Sequence, residues 1–105
     1  MSKTFDKFLK QAQKMQEQMM SMQDQMGEVK VEGSAGGGMV IAVMNGKQEL
    51  VSIKIKPEVV NAQETELLED LIVAAVHQAH EKAQALQQKE IGQITGGLKI
   101  PGLGA

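Results

Sequence analysis

The chain has no cysteine, no arginine, no tryptophan and no tyrosine. Without Cys there is no disulfide framework, no thiolate metal site and no Cys nucleophile, a lack that fits a reducing cytosol. Without Arg, every basic residue is Lys, and the commonest bidentate contact to guanine is out of reach. Two Phe are the only aromatics, so there is almost no stacking platform for unpaired bases. Any nucleic acid would be met through its backbone or shape rather than its sequence. No run approaches the ~18 apolar residues of a membrane span. No apolar stretch follows the basic residues between Ser2 and Lys7, so no secretory signal is expected. A formal net charge of −2 excludes a globally basic nucleic-acid binder but not a locally basic one.

What is present in quantity is methionine, eight in all, and glutamine, in 105 residues, the size of one domain. From Thr4 to Met26 there is no Gly or Pro, and the apolar positions are Phe5, Phe8, Ala12, Met15, Met19, Met22 and Met26. The steps alternate 3 and 4, a heptad seam over three heptads. Gln, Lys and Glu fill most other positions and favour helix. Gly27 is the expected C-cap.

Glu28 to Glu32 alternates charged and apolar and predicts a half-buried strand. Gly33 to Gly38 predicts a flexible connection between strands. It has no G-K-[ST] opening a helix, so it is not a phosphate-binding loop. Met39 to Met44 is apolar throughout, and Asn45-Gly46 is a hairpin signal whose register is open between a two-residue and a three-residue loop. Lys47 to Lys56 carries Val51, Ile53 and Ile55 at period two, and Pro57 ends the strand. After a connector with a short turn at Glu58-Val59-Val60, a second long helix is predicted from near Thr65 to about Ile91. Leu68, Leu71, Ile72, Ala75, Ala79, Ala83 and Leu86 form its apolar stripe. Glu64, Glu66, Glu69 and Asp70 crowd its N-terminus, where the macrodipole favours negative charge.

The expected fold is an α+β subunit of order α-β-β-β-α: a three-stranded antiparallel sheet with two long flanking helices, one domain over residues 1–91. A Gly-rich, mobile tail is expected over 92–105. Helices of about 23 and 27 residues span roughly 35 and 40 Å. A compact domain of this size has a radius of gyration of about 13 Å. The helices must therefore overhang the sheet, and a strand apolar on both faces needs a second cover. A homodimer answers both demands; a monomer covering both sheet faces with its own helices is the alternative.

Lys3, Lys7, Lys10 and Lys14 step by 4, 3 and 4 along the face opposite the heptad seam. Residues 1–14 hold four Lys against Asp6, while residues 57–76 hold five acids and no Lys. The strip reads either as a surface for phosphates or as a solvated helix face. The Met seam reads either as an adaptable binding surface or as packing against Ala75, Ala79 and Ala83 of the second helix. His77 and His80 have helical metal-ligand spacing but no third ligand, and read as helical surface histidines. No metal, cofactor or small-molecule substrate is expected. No nucleophile motif surrounds Ser2, Ser21, Ser34 or Ser52, so no enzyme is expected.

The ordered set Leu9–Glu17, Gly33–Gly38 followed by the apolar strand and Asn45-Gly46, Ile53–Pro57, Leu68-Glu69-Asp70-Leu71-Ile72 with Ala75, and Gly96-Gly97 before Pro101-Gly102 resembles the YbaB/EbfC family of bacterial nucleoid-associated proteins. The resemblance spans nearly the whole chain. It implies a homodimer whose long helices project as arms and which binds double-stranded DNA in the bacterial cytoplasm. There it would organise the nucleoid with little sequence specificity and influence gene expression. Family DNA contacts lie on charged residues of the two terminal helices. Carried onto this chain they point to Lys3, Lys7, Lys10 and Lys14, followed by Lys82 and Lys89. The other reading is a protein-interaction or scaffold module that uses its Met-rich arms without touching DNA.

Overall fold

The structure, a computed structural model, describes residues 3–95. Helix α1 covers Lys3–Glu28, strands β1, β2 and β3 cover Lys30–Ala35, Val40–Asn45 and Leu50–Ile55, a 3-10 turn covers Pro57–Val59, and helix α2 covers Thr65–Thr95. The strands form one antiparallel sheet in the order β1-β2-β3. The α-β-β-β-α order is thus the one the sequence predicts.

Helix α2 lies across β1 and β2. Ala75, Ala79 and Ala83 are fully buried and meet Val40, Ala42 and Met44 of β2, with Leu68, Leu71, Ile72 and Val76 flanking them. The small Ala stripe brings the helix backbone close to the sheet. Gly33 completes the approach, because a Cβ there would collide with the carbonyl of Ala75 and the amide of Ala79.

That approach explains the first difference from the sequence reading. Gly33, Ser34 and Ala35 are strand, paired with Ala42, Ile41 and Val40, and the turn is confined to Gly36–Met39. The glycine that reads as loop serves helix-to-sheet packing. Upstream, α1 continues through Gly27 to Glu28, so β1 starts later than its charge alternation suggests, and Gly27 is no C-cap.

The second difference lies in the β2–β3 hairpin, which has a four-residue loop over 46–49. Asn45 ends β2, and its side chain shapes the loop: Oδ1 accepts from the amides of Lys47 and Glu49, and Nδ2 donates to Glu49 Oε1. Gln48, not Gly46, takes the left-handed backbone, at φ 67°. The Gly46 amide instead donates to Met26 O at 2.8 Å, an approach so close that a Cβ would strike the Met26 side chain. Strand β3 then pairs Leu50, Ile53 and Ile55 with the buried Met44, Ala42 and Val40, and a bulge displaces Val51 from the period-two pattern.

The third difference concerns the Met seam. Only Met22 and Met26 are buried, and the Ala stripe of α2 faces the sheet rather than the thioethers. Helix α1 meets α2 near its C-terminal end, where Gln18, Ser21, Met22 and Gln25 face Glu90, Gln93 and Ile94 across a shallow cleft. The molecule measures 73 × 28 × 16 Å. Helix α2 runs past Gly92 to Thr95; the remainder of the expected tail, residues 96–105, lies outside the described residues.

Candidate nucleic-acid interface

Helical spacing positions the Lys strip. Residues three and four apart share a helix face, so Lys3, Lys7, Lys10 and Lys14 stack along one side of α1, and all four are exposed. At 1.5 Å per residue the strip is roughly 16 Å long. Asp6 is the one acid among these residues, and among the described residues no ion pair engages the four lysines. The arrangement offers a row of exposed cations along one helix face, suited to a phosphate backbone rather than to base edges.

The two α2 lysines are placed differently. Lys89 is exposed on the stretch of α2 that runs beside the root of α1. Lys82 is two helical turns away, over the sheet, where its Nζ donates to the carbonyl of Glu32 at 2.8 Å. Gln78, one turn earlier, accepts from the Ser34 amide at 2.7 Å. The pair satisfies backbone groups on the open side of β1, the kind of exposed strand edge that otherwise recruits another chain. The structure therefore gathers the four α1 lysines, sets Lys89 near their base and holds Lys82 apart. The edge-covering role of Gln78 and Lys82 was not read from the sequence. Their i, i+4 spacing was the available signal, but its meaning depends on β1 lying beneath.

His77 Nε2 lies 3.0 Å from Glu81 Oε1 on the exposed side of α2. With Ile72, Val73, Val76 and His80 it lines a shallow apolar groove. Among the described residues, no three His, Asp or Glu side chains converge as a metal site would require, and no helix is long and apolar enough to cross a membrane.

Known proteins share this architecture and this sequence. A crystal structure of HP0035, an uncharacterized protein of Helicobacter pylori, superposes with a TM-score of 0.77 over 91% of this chain and 99% of that one, at 18% identity, a likeness of fold. A nucleoid-associated protein of Pelotomaculum thermopropionicum is 48% identical over 103 residues, 98% of each chain. A nucleoid-associated protein of Caldanaerobacter subterraneus is 54% identical over 95 residues, 90% of this chain and 86% of that one. The family model described as the YbaB/EbfC DNA-binding family matches residues 1–98. With the match running from the tip of α1 to beyond the described end of α2, the chain belongs to the YbaB/EbfC DNA-binding family.

Proposed function

We propose that this chain is a non-catalytic, nucleoid-associated DNA-binding protein of the bacterial cytoplasm. It acts as a homodimer that grips the backbone of duplex DNA with its projecting α1 arms. The observation that carries the reading is the exposed row Lys3, Lys7, Lys10 and Lys14 on a helix that the sheet leaves free, in a chain of a DNA-binding family. Lys89 adds charge at the base of the arm. With no Arg and almost no aromatic surface, binding tolerates many sequences.

Support for the homodimer comes from apolar surface that one chain leaves open. Leu50, Val51 and Ile55 of β3, Val60, and Leu67 and Val73 of α2 are all exposed. Isolated exposed apolar residues are ordinary, but six of them within β3, the turn after it and α2 leave apolar surface of the kind an interface between subunits covers. A second subunit also doubles the arms, offering eight lysines.

The test is a gel shift on duplex DNA across a salt series, paired with light scattering. If all eight lysines meet phosphate, log K against log[salt] falls with a slope of about −7; half engagement gives about −4. The variant Lys7→Glu/Lys10→Glu/Lys14→Glu is expected to lose retardation at ~100 mM salt and to flatten the slope. A triple variant that binds like wild type removes the row from the interface. Scattering is expected to give twice the 11.4 kDa chain mass.

A further inference from the structure

We propose that the β2–β3 hairpin carries a latent self-modification site, at which Asn45 cyclises onto the Gly46 amide once the root of α1 releases that amide. The Gly46 nitrogen attacks Asn45 Cγ, a Cγ–N bond forms, the Cγ–Nδ2 bond breaks and ammonia leaves. Water then opens the five-membered imide at either carbonyl, giving aspartate or isoaspartate at position 45. Gly46 has no Cβ to obstruct the attack.

The hairpin by itself assembles most of the site. Asn45 Oδ1 accepts from the amides of Lys47 at 2.9 Å and Glu49 at 3.0 Å. Negative charge gathers on that oxygen when Cγ is attacked, and two backbone donors already aimed at it stabilise the charge as an oxyanion hole does. Nδ2, the leaving nitrogen, lies 2.8 Å from Glu49 Oε1. The proton that Gly46 loses is the one that ammonia gains, and the Glu49 carboxyl is placed to deliver it. Every one of these contacts runs within residues 45–49.

The restraint comes from outside the hairpin. The Gly46 N–H donates to Met26 O at 2.8 Å and to Val29 O at 3.1 Å, so the nucleophile is fixed by its own hydrogen. Asn45 is 8% exposed and Gly46 is buried, which keeps out the water that opens the imide. Met26 lies in the last turn of α1 and Val29 just beyond it. Local opening at this root frees the nucleophile and leaves the hairpin's own bonds in place.

The products oppose return. Aspartate at position 45 sets a second carboxylate against Glu49 Oε1 where the Nδ2 donor had been, and like charges at that distance repel. Isoaspartate routes the main chain through Cγ and moves the Gly46 amide away from Met26 O. A release of α1 is thereby written into the chain as a covalent change.

The test incubates the full chain at neutral pH and follows position 45 by ammonia release, peptide mass and isoaspartate methylation. Asn61, the one other Asn, is exposed and serves as internal reference. Met26→Ala is expected to convert position 45 about tenfold faster than wild type or more, with Asn61 unchanged. Where Met26→Ala does not fold, Met22→Ala loosens the same root from one turn further along α1 and is expected to act in the same direction. Gly33→Val, which loosens α2 over the sheet instead, is expected to leave the rate unchanged well below its unfolding midpoint. Equal rates in wild type and the root variants overturn the restraint. Equal acceleration by Gly33→Val overturns it too, assigning the reaction to global unfolding. Within Met26→Ala or Met22→Ala, Glu49→Gln keeps an acceptor for Nδ2 but cannot deliver a proton, and is expected to slow conversion by about tenfold or more. An unaltered rate removes Glu49 from the reaction. Asn45→Asp is expected to speed hydrogen exchange in the last turns of α1 by about tenfold; exchange like that of wild type would overturn the opposed return.

Discussion

Gly33 of β1 lies directly beneath Ala79 of α2, with no room for a side chain between the two backbones. Gly33→Val is expected to force strand and helix apart. Overpacking of this kind costs about 1–3 kcal/mol, and backbone atoms, unlike a side-chain tip, cannot swing away. Urea unfolding is expected to show a lowered midpoint. An unchanged midpoint would mean that the helix does not sit this close.

Asn45 is the second residue whose replacement should be felt far beyond its size. It is 8% exposed, and its side chain makes three hydrogen bonds within the hairpin loop. Asn45→Ala leaves the Lys47 and Glu49 amides without their acceptor, at an expected cost of about 1–3 kcal/mol by thermal or urea unfolding.

The buried end of the Met seam should behave differently from the exposed Met20 beside it. Met26→Ala is expected to cost about 2–5 kcal/mol, because Met26 is 4% exposed and its carbonyl also receives the Gly46 amide. Met20→Ala, at an exposed position, is expected to change stability by less than ~0.5 kcal/mol. Hydrogen exchange in Met26→Ala should accelerate first in the last turns of α1 and the 46–49 loop.

Among the lysines, Lys82 should separate from the α1 row. Lys82→Met removes the hydrogen bond to Glu32 O, at an expected cost of about 0.5–1.5 kcal/mol in stability. Its effect on DNA affinity and on the salt slope is expected to be smaller than that of Lys10→Met. The reverse order would move the DNA contact from the arm to the sheet edge.

The periodic elements were legible in the sequence because their signals are local. Phe5 to Met26 at alternating steps of 3 and 4 defines α1. Leu68 to Ala83 defines the buried face of α2, and the apolar run Met39–Met44 marks the central strand. What escaped depends on neighbours distant in sequence. Gly33 reads as loop until the backbone of Ala75 and Ala79 is above it. Gly46 reads as the turn residue until Met26 claims its amide and Gln48 takes the left-handed position. The Lys row is visible as a pattern on one helix. The tie of Lys82 to a carbonyl fifty residues away is not, since nothing local encodes which backbone group will lie within reach.

The anchorage of α1 through Met22 and Met26 has a mechanical meaning. The rod beyond it acts as a lever: from Met22 to Lys3 it is about 28 Å long. A tilt of roughly 10° at the root sweeps the tip by about 5 Å, more than the 3.4 Å rise between successive phosphates of one strand. If the α1 arm grips DNA as proposed above, small rotations at this fulcrum would match the curvature of different duplexes without remodelling the core.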